Sequence, residues 1–271
     1  MSVAIELSDL IEIMTWISDI PEQNRNRLLF IGDTKFYVAN SDLKQIAHGL
    51  EINISDSTDP ISAKNFGHIF GFRRTDTLGL EGECTINFDL MSELPGELLS
   101  QFDLIIDAGV LFWTFNPGTA IANLSKMVSE TGQIVHITAL TGHFGAAYFN
   151  IHPKFFTDFY SLNEFELLTG GGGRNRRISL FSQISRKFCS ALRPSHMQSE
   201  YLRISKTSPD NLGTVLTSPM SRILIKFGLK SLTLRDRAVG IFGFKRIKMI
   251  SEVKFPLLLE ADLKDDLFSK K

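Results

Sequence analysis

Four stretches of the sequence place a glycine or an acid directly after a short apolar run, and together these side chains have the chemistry needed to hold a nucleoside. Gly32-Asp33-Thr34 follows the first run, where a glycine permits close approach of backbone to ligand. Asp76 closes a second run and is suited to accept from ribose hydroxyls. Asp89, followed by Leu90, closes a third and is suited to accept from an adenine amino group beside an apolar wall. Asp107-Ala108-Gly109 closes the clearest buried run, Phe102 to Ile106. No G-x-G-x-x-G or G-x-x-x-x-G-K-[ST] pattern occurs, so a pyrophosphate cradle is not expected, and a nucleoside without phosphates fits better. The alternative reading of Asp33, Asp76 and Asp89 is structural, because Asp is favoured at turns, where it bonds to nearby backbone.

These groups meet only if strand ends bring them to one edge, and the pattern of the chain predicts such an arrangement. Ser8-Asp9 opens a helix over 8–19, with Leu10, Ile13, Met14 and Ile17 at helical spacing, and Pro21 ends it. Strands are expected at 27–33, 70–76, 84–89, 102–109 and 132–139, with helices at 41–50 and 117–130 and a loop over 51–65. Asn116-Pro117 supplies a cap and a first-turn proline to the second of these helices, and Gly132 is expected to stop the turn after it. Pro153 opens a further helix whose Phe155, Phe156, Phe159 and Tyr160 read as core. Such alternation predicts an α/β fold, a doubly wound, mostly parallel sheet with helices on both faces. In such sheets ligands lie outside the carboxyl ends of the strands. The expected divisions are an N-terminal helix (1–26), a central α/β domain (27–182), a basic insertion (183–237) and a final strand and tail completing the same domain (238–271).

The segments FDLIIDAGVL (102–111), AIANLSKMVSETGQIVH (120–136) and HFGAAYFNIHPKFFTDFYSLNEF (143–165) resemble class I S-adenosylmethionine (SAM)-dependent methyltransferases, in particular a divergent bacterial branch. The resemblance covers roughly residues 27–168. It implies SAM as cofactor, with the Gly32 turn near its methionine part, Asp76 on the ribose and Asp89 with Leu90 flanking the adenine. It also implies methyl transfer to a hydroxyl of a sugar or surface-glycan precursor. Two departures stand out. The glycine-rich turn is reduced to Gly32-Asp-Thr-Lys-Phe, where Lys35 and Phe36 threaten to obstruct the cofactor. Phe112-Trp113 occupies the place where related sequences tend to carry Glu-His, so an acceptor proton must go elsewhere. His143 and Tyr148 are the catalytic candidates on the loop after the fifth strand, and Trp113 and Asn150 are candidates for lining the substrate site. His136, within a strand, reads as a core histidine, and Asn150 with His152 reads equally well as a helix cap.

With 43% apolar and 22% charged residues the chain is an ordinary folded protein. Cys84 and Cys189 form no C-x-x-C or Cys/His cluster, so no metal site is expected and a reducing, cytoplasmic setting is. The start of the sequence lacks the basic and apolar blocks of an export signal. The formal net charge of -1 conceals a strong asymmetry. Residues 1–173 hold 9 basic against 22 acidic side chains, whereas residues 174–248 hold 16 against 3. The basic third is expected to face an anionic substrate or partner, or the chain's own acidic part. Arg174, Arg176 and Arg177, after the glycine run 170–173, form a candidate phosphate clamp whose alternative is a solvated loop. A helix from Ser218-Pro219 has Arg222, Lys226 and Lys230 on one face, which suits peripheral contact with an anionic membrane or simple covering of its own core. Nucleic acid is disfavoured as a partner, since no RNA-binding module is recognisable. A non-catalytic binding protein for an acidic glycan, lipid or protein is the alternative to the enzyme. If the basic third recognises a polyanion by charge, retention on an anionic glycan or lipid falls steeply with salt. Unchanged retention after replacing Arg174, Arg176 and Arg177 by Ser excludes that loop as the clamp.

Overall fold

The computed structural model describes residues 5–49, 54, 60–80, 83–140, 147–168, 201–202 and 239–256. A two-residue strand β1 (Ile5–Glu6) leads into helix α1 (Leu7–Ser18), whose Leu10, Ile13, Met14 and Ile17 are all buried. Then come β2 (Arg27–Ile31), β3 (Phe36–Tyr37), α2 (Asn40–Gly49) and α3 (Ala63–Ile69). They are followed by β4 (Arg74–Gly79), β5 (Ile86–Asn87), β6 (Phe102–Ala108), α4 (Pro117–Met127) and β7 (Val128–Ala139). The described chain continues with α5 (Pro153–Leu162), β8 (Phe165–Leu167), β9 (Tyr201–Leu202) and β10 (Val239–Arg246).

The main sheet has the order β5-β4-β2-β6-β7-β10-β8, and β9 adds to β10. Its neighbours are parallel except around β10, which runs antiparallel to both β7 and β8. The final strand expected within 238–271 is thus inserted between β7 and β8. Alternation of side chains divides the interior into two cores. Leu28, Phe30, Leu104, Ile106, Val135 and Ile241 face α1, α2 and α3. Leu29, Ile31, Ile105, Ile134, Phe242 and Phe244 face α4 and α5. Gly243 lets α1 pack closely where it crosses the sheet, since a Cβ there would lie 3.0 Å from the Trp16 ring.

Several expected boundaries change. Of the loop expected over 51–65, residues 63–65 belong instead to α3, and 51–53 and 55–59 lie outside the described residues; α3 is started by a reciprocal cap in which Ser62 Oγ accepts from the Asn65 amide and Asn65 Oδ1 accepts from the Ser62 amide. The strand expected at 70–76 begins only at Arg74, since Phe70 and Gly71, the latter at φ +76°, are spent turning the chain out of α3. The 84–89 strand contracts to Ile86–Asn87. Helix α4 stops at Met127, and β7 begins at once and runs through Gly132, which packs beneath the Phe102 carbonyl instead of ending a turn. The basic insertion 183–237 and the arginine loop at 174–177 lie outside the described residues, apart from Tyr201–Leu202. Among the described residues no helix is long and apolar enough to cross a membrane.

The amino ends of the strands are tied by charge. Asp76 is buried and holds Arg27 Nη2 at 2.7 Å and Arg74 Nη2 at 2.9 Å. Asp103 accepts from the Asn26 and Arg27 amides and from Ser129 Oγ. Arg25 donates to the Ile17, Ile20 and Phe70 carbonyls, so one guanidinium closes the ends of α1 and α3. Burial alone would raise the Asp76 pKa, but the hydrogen bonds and charges of Arg27 and Arg74 outweigh it and the value is lowered. A lowered folded value means that this contribution is present above the unfolded carboxyl pKa of about 3.9 and is lost as pH falls through the folded one. Asp76→Asn is expected to cost about 2 kcal/mol at pH 7, below the usual figure for a broken buried pair because Arg74 can hydrate. In urea unfolding the gap between Asp76→Asn and the unsubstituted protein should narrow below about pH 4; a gap that stays constant down to pH 2 would rule out the ion pair as its source.

Candidate functional site

The carboxyl ends of β2 and β6 lie side by side, with Ile31 paired to Asp107. Gly32 has φ +79°, a left-handed conformation that favours glycine, and its amide donates to the Leu78 carbonyl at 2.7 Å. A Cβ at this position would stand 2.7 Å from Val110 Cγ2, so the turn after β2 and the turn after β6 close upon each other here. Asp33 is exposed. Thr34 is buried, and its hydroxyl has no hydrogen-bond partner among the described residues. Buried polar atoms normally find partners, so an orphan hydroxyl at a strand mouth is a place for a ligand group or a water. The obstruction expected from Phe36 does not arise. Its ring turns away into the α3 side of the core, stacking on Phe66 at 5.3 Å and standing edge-on to Phe30 at 5.8 Å. Lys35 is exposed and its carbonyl accepts from the Ile5 amide at 2.8 Å.

Asp76 is not at this edge. It lies in mid-strand, paired with Leu29, and its carboxylate is engaged by Arg27, Arg74 and Thr85. The strand runs three residues further, to Gly79, so the expected placement of an acid at the mouth of this strand was wrong by half the strand's length. Two arginines neutralise the acid and so allow it to stand inside the strand. Asp89 and Leu90 do follow β5. Asp89 Oδ1 accepts from the Met91 amide, and its carbonyl accepts from Ser92, while Leu90 is buried in the core. Asn123 of α4, which went unnoticed, donates to both the Leu90 and Ser92 carbonyls and so pins this loop to the helix.

Asp107, Ala108 and Gly109 are buried at the mouth of β6, with Gly109 at φ +87°. Asp107 Oδ1 accepts from the Val110 amide at 2.7 Å. Oδ2 meets His136 Nδ1 at 2.9 Å, and His136 Nε2 meets the Tyr160 hydroxyl at 2.7 Å. Burial, with the Asp107 charge second, pushes the Tyr160 hydroxyl well above the usual phenol range. The sequence predicts His136 and Tyr160 as plain core, whereas the structure joins them to Asp107 in a hydrogen-bonded chain. The available signal was a histidine and a tyrosine, each fully polar-tipped, inside otherwise apolar runs.

The outer rim is aromatic. After β6, Phe112 is buried, Trp113 half-buried and Phe115 exposed. The amides of Tyr148 and Phe149 both donate to the Phe112 carbonyl, which brings the exposed Tyr148 ring edge-on to Phe115 at 5.8 Å. Asn150 is exposed, and the cap of α5 is His152, whose Nδ1 accepts from the Lys154 amide at 3.1 Å. Partial burial and then the Lys154 charge lower the His152 pKa, which favours the neutral ring that capping needs. His143 lies outside the described residues. Among the described residues no three His, Cys, Asp or Glu side chains are grouped to hold a metal ion.

A mostly parallel sheet in the order β5-β4-β2-β6-β7-β10-β8, with β10 reversed between the last two strands and helices on both faces, is a doubly wound α/β fold. No protein-family model and no curated protein matches the chain. Solved structures that match include the phosphoethanolamine N-methyltransferase 2 of Haemonchus contortus, in complex with phosphomonomethylethanolamine and S-adenosylhomocysteine (10% identity, TM-score 0.37, 87% of this chain and 53% of that one). Another is the 1,6-didemethyltoxoflavin-N1-methyltransferase of Burkholderia thailandensis (14% identity, TM-score 0.27, 50% and 54%). A third is an O-methyltransferase from a trans-AT PKS multienzyme of Brevibacillus brevis with S-adenosylhomocysteine (12% identity, TM-score 0.33, 86% and 70%). The match spans about half the length of each of the two N-methyltransferases.

Gly32→Ala is expected to lower stability by about 2 kcal/mol or more, combining left-handed strain with the clash on Val110. Adding Val110→Ala should restore the steric share and leave the backbone share. Equal unfolding midpoints for the single and double variants would show that Val110 does not close on Gly32.

Proposed function

We propose that the chain binds SAM at the carboxyl ends of β2, β5 and β6 and transfers its methyl group to a hydroxyl of a sugar or surface-glycan precursor. The observation that carries the cofactor reading is the Gly32 to Thr34 turn. It joins a left-handed glycine to a buried hydroxyl that has no partner among the described residues, at the edge where open parallel sheets bind ligands. Thr34 Oγ1 and the neighbouring backbone would hold the amino-acid part of SAM, and the Asp89–Leu90 loop, braced by Asn123, would flank the adenine. Asp76 has no part in this reading, because its carboxylate is already spent on two guanidiniums.

Bound SAM supplies an electrophilic methyl group. The chain must then place the acceptor in line and, for a hydroxyl, receive its proton. Neither Phe112 nor Trp113 can accept a proton. Tyr148 presents an exposed phenol at the rim, and His143 has an intrinsic pKa near 6.5, suited to a base. The sugar acceptor rests on sequence resemblance, and Trp113, Asn150 and the 174–177 arginines are its proposed contacts. The buried Phe112 favours a second reading, a methyltransferase-like protein that binds its ligands without turning them over.

Calorimetry with SAM and S-adenosylhomocysteine is the direct test. Both should bind, Thr34→Val should weaken binding about tenfold, as loss of one buried hydrogen bond does, and Asp76→Asn should leave affinity unchanged. No binding at about millimolar ligand would remove the cofactor reading. With a glycan-precursor library, His143→Ala should slow any transfer by at least about a hundredfold. Full activity in that variant excludes His143 as base, and binding without turnover on any acceptor favours the non-catalytic reading.

A further inference from the structure

Asp107, His136 and Tyr160 come from β6, β7 and α5, and each is completely buried. Hydrogen-bond accounting fixes where their protons are. Among the described residues the Tyr160 hydroxyl has a single hydrogen-bond partner, His136 Nε2 at 2.7 Å. Its ring is otherwise walled by Phe244 at 4.3 Å and Phe165 at 4.9 Å, which offer no acceptor. The phenol hydrogen therefore points at Nε2, and Nε2 must present a lone pair. The remaining imidazole hydrogen sits on Nδ1 and is donated to Asp107 Oδ2 at 2.9 Å. An imidazolium would set two hydrogens against each other between Nε2 and the phenol and strand one of them in an apolar site. The second Asp107 oxygen accepts from the Val110 amide at 2.7 Å, and the Val110 side chain is what stands over Gly32.

We propose that Tyr160, His136 and Asp107 form a buried positioning relay, which keeps His136 as the neutral Nδ1–H tautomer and thereby holds the 107–110 turn at the width the cofactor mouth requires. The cofactor clause rests on the function proposed above, whereas the tautomer and the turn do not. The pieces depend on one another in order. The phenol selects the tautomer, the tautomer orients the carboxylate, and the carboxylate holds the Val110 amide at the N-terminus of the short 3-10 turn Leu111–Trp113. All three are completely buried, so the role assigned to them is positioning and not catalysis. The ionisable groups packed about the ring are Asp107 from β6 and Tyr160 from α5, with the charge of Arg246 from β10 felt at the Tyr160 end. Phe156 of α5 covers the imidazole at 4.8 Å and keeps water from it.

The test uses the full chain, with nitrogen-15 NMR of the histidine rings, amide hydrogen exchange at Val110 and calorimetry with S-adenosylhomocysteine. His136 is expected to show the neutral Nδ1–H pattern. An Nε2–H tautomer, or a ring carrying hydrogen on both nitrogens, would overturn the proposal. Tyr160→Phe should keep the fold by circular dichroism, disturb the His136 signals and speed Val110 exchange about tenfold. His136→Asn, which can still donate towards Asp107, should restore slow Val110 exchange, whereas His136→Leu should not. Val110 exchange unchanged in both Tyr160→Phe and His136→Leu would refute the relay even if the tautomer is correct. If S-adenosylhomocysteine binds the unsubstituted protein, affinity should fall about tenfold in Tyr160→Phe and recover in His136→Asn relative to His136→Leu. If it does not bind, the function proposed above fails, and the relay is decided by tautomer and exchange alone.

Discussion

A carboxylate buried at the end of a central strand must satisfy both oxygens from within the protein, and this requirement organises the α4/α5 side of the molecule. Taking a charge out of water costs several kcal/mol unless hydrogen bonds replace the solvent. Asp107 meets that demand with the Val110 amide and the His136 ring, and His136 in turn needs Tyr160. The consequence is geometric. Three elements distant in sequence are locked to one another, and the turn that shapes the mouth of β6 is held by a side chain of α5 that never reaches the surface.

Asp76 solves the same problem differently, two register positions from Asp107 and nearer the amino ends of the strands. There the buried carboxylate is met by two arginines whose stems lie partly in solvent, so charge compensates charge. At the carboxyl end no side chain of the relay carries a positive charge, and only neutral donors serve Asp107. One end of the sheet is thus clamped by ion pairs that fade in acid, while the other is held by directional hydrogen bonds that fix a tautomer. The difference suits their tasks, because the amino ends need only be joined, whereas the carboxyl ends must hold a particular shape.

The reversed β10 completes this arrangement. It supplies Phe242 and Phe244, which stack on Phe156 at 5.3 Å and on Tyr160 at 4.3 Å, and so forms the apolar floor under the relay. Its Gly243 opens space on the other face for Trp16 of α1. A strand from the far end of the chain therefore serves both cores at once. Around the mouth itself the exposed Phe115 and Tyr148 give the outer edge an apolar, aromatic character quite unlike the acidic composition of the first 173 residues.

Local pattern determined much of this protein. The apolar runs at 27–31 and 102–108, the Asn116-Pro117 start of α4 and the Pro153 start of α5 are each readable because strand burial, capping and proline geometry act over a few residues. Alternation of those elements was enough to expect a parallel sheet, and Gly32 stood out because a glycine at a strand end has few other reasons to be there. What pairs across the sheet was not readable. Asp76 resembled a strand terminator until Arg27 arrived from a strand 49 residues earlier, and His136 and Tyr160 resembled core until the pairing of β6 with β7 and the packing of α5 placed them beside Asp107. The spacing of residues along a chain encodes which face a side chain takes. Which partner then neutralises a buried polar group depends on register and helix packing between distant segments, and that is decided only when the sheet has closed.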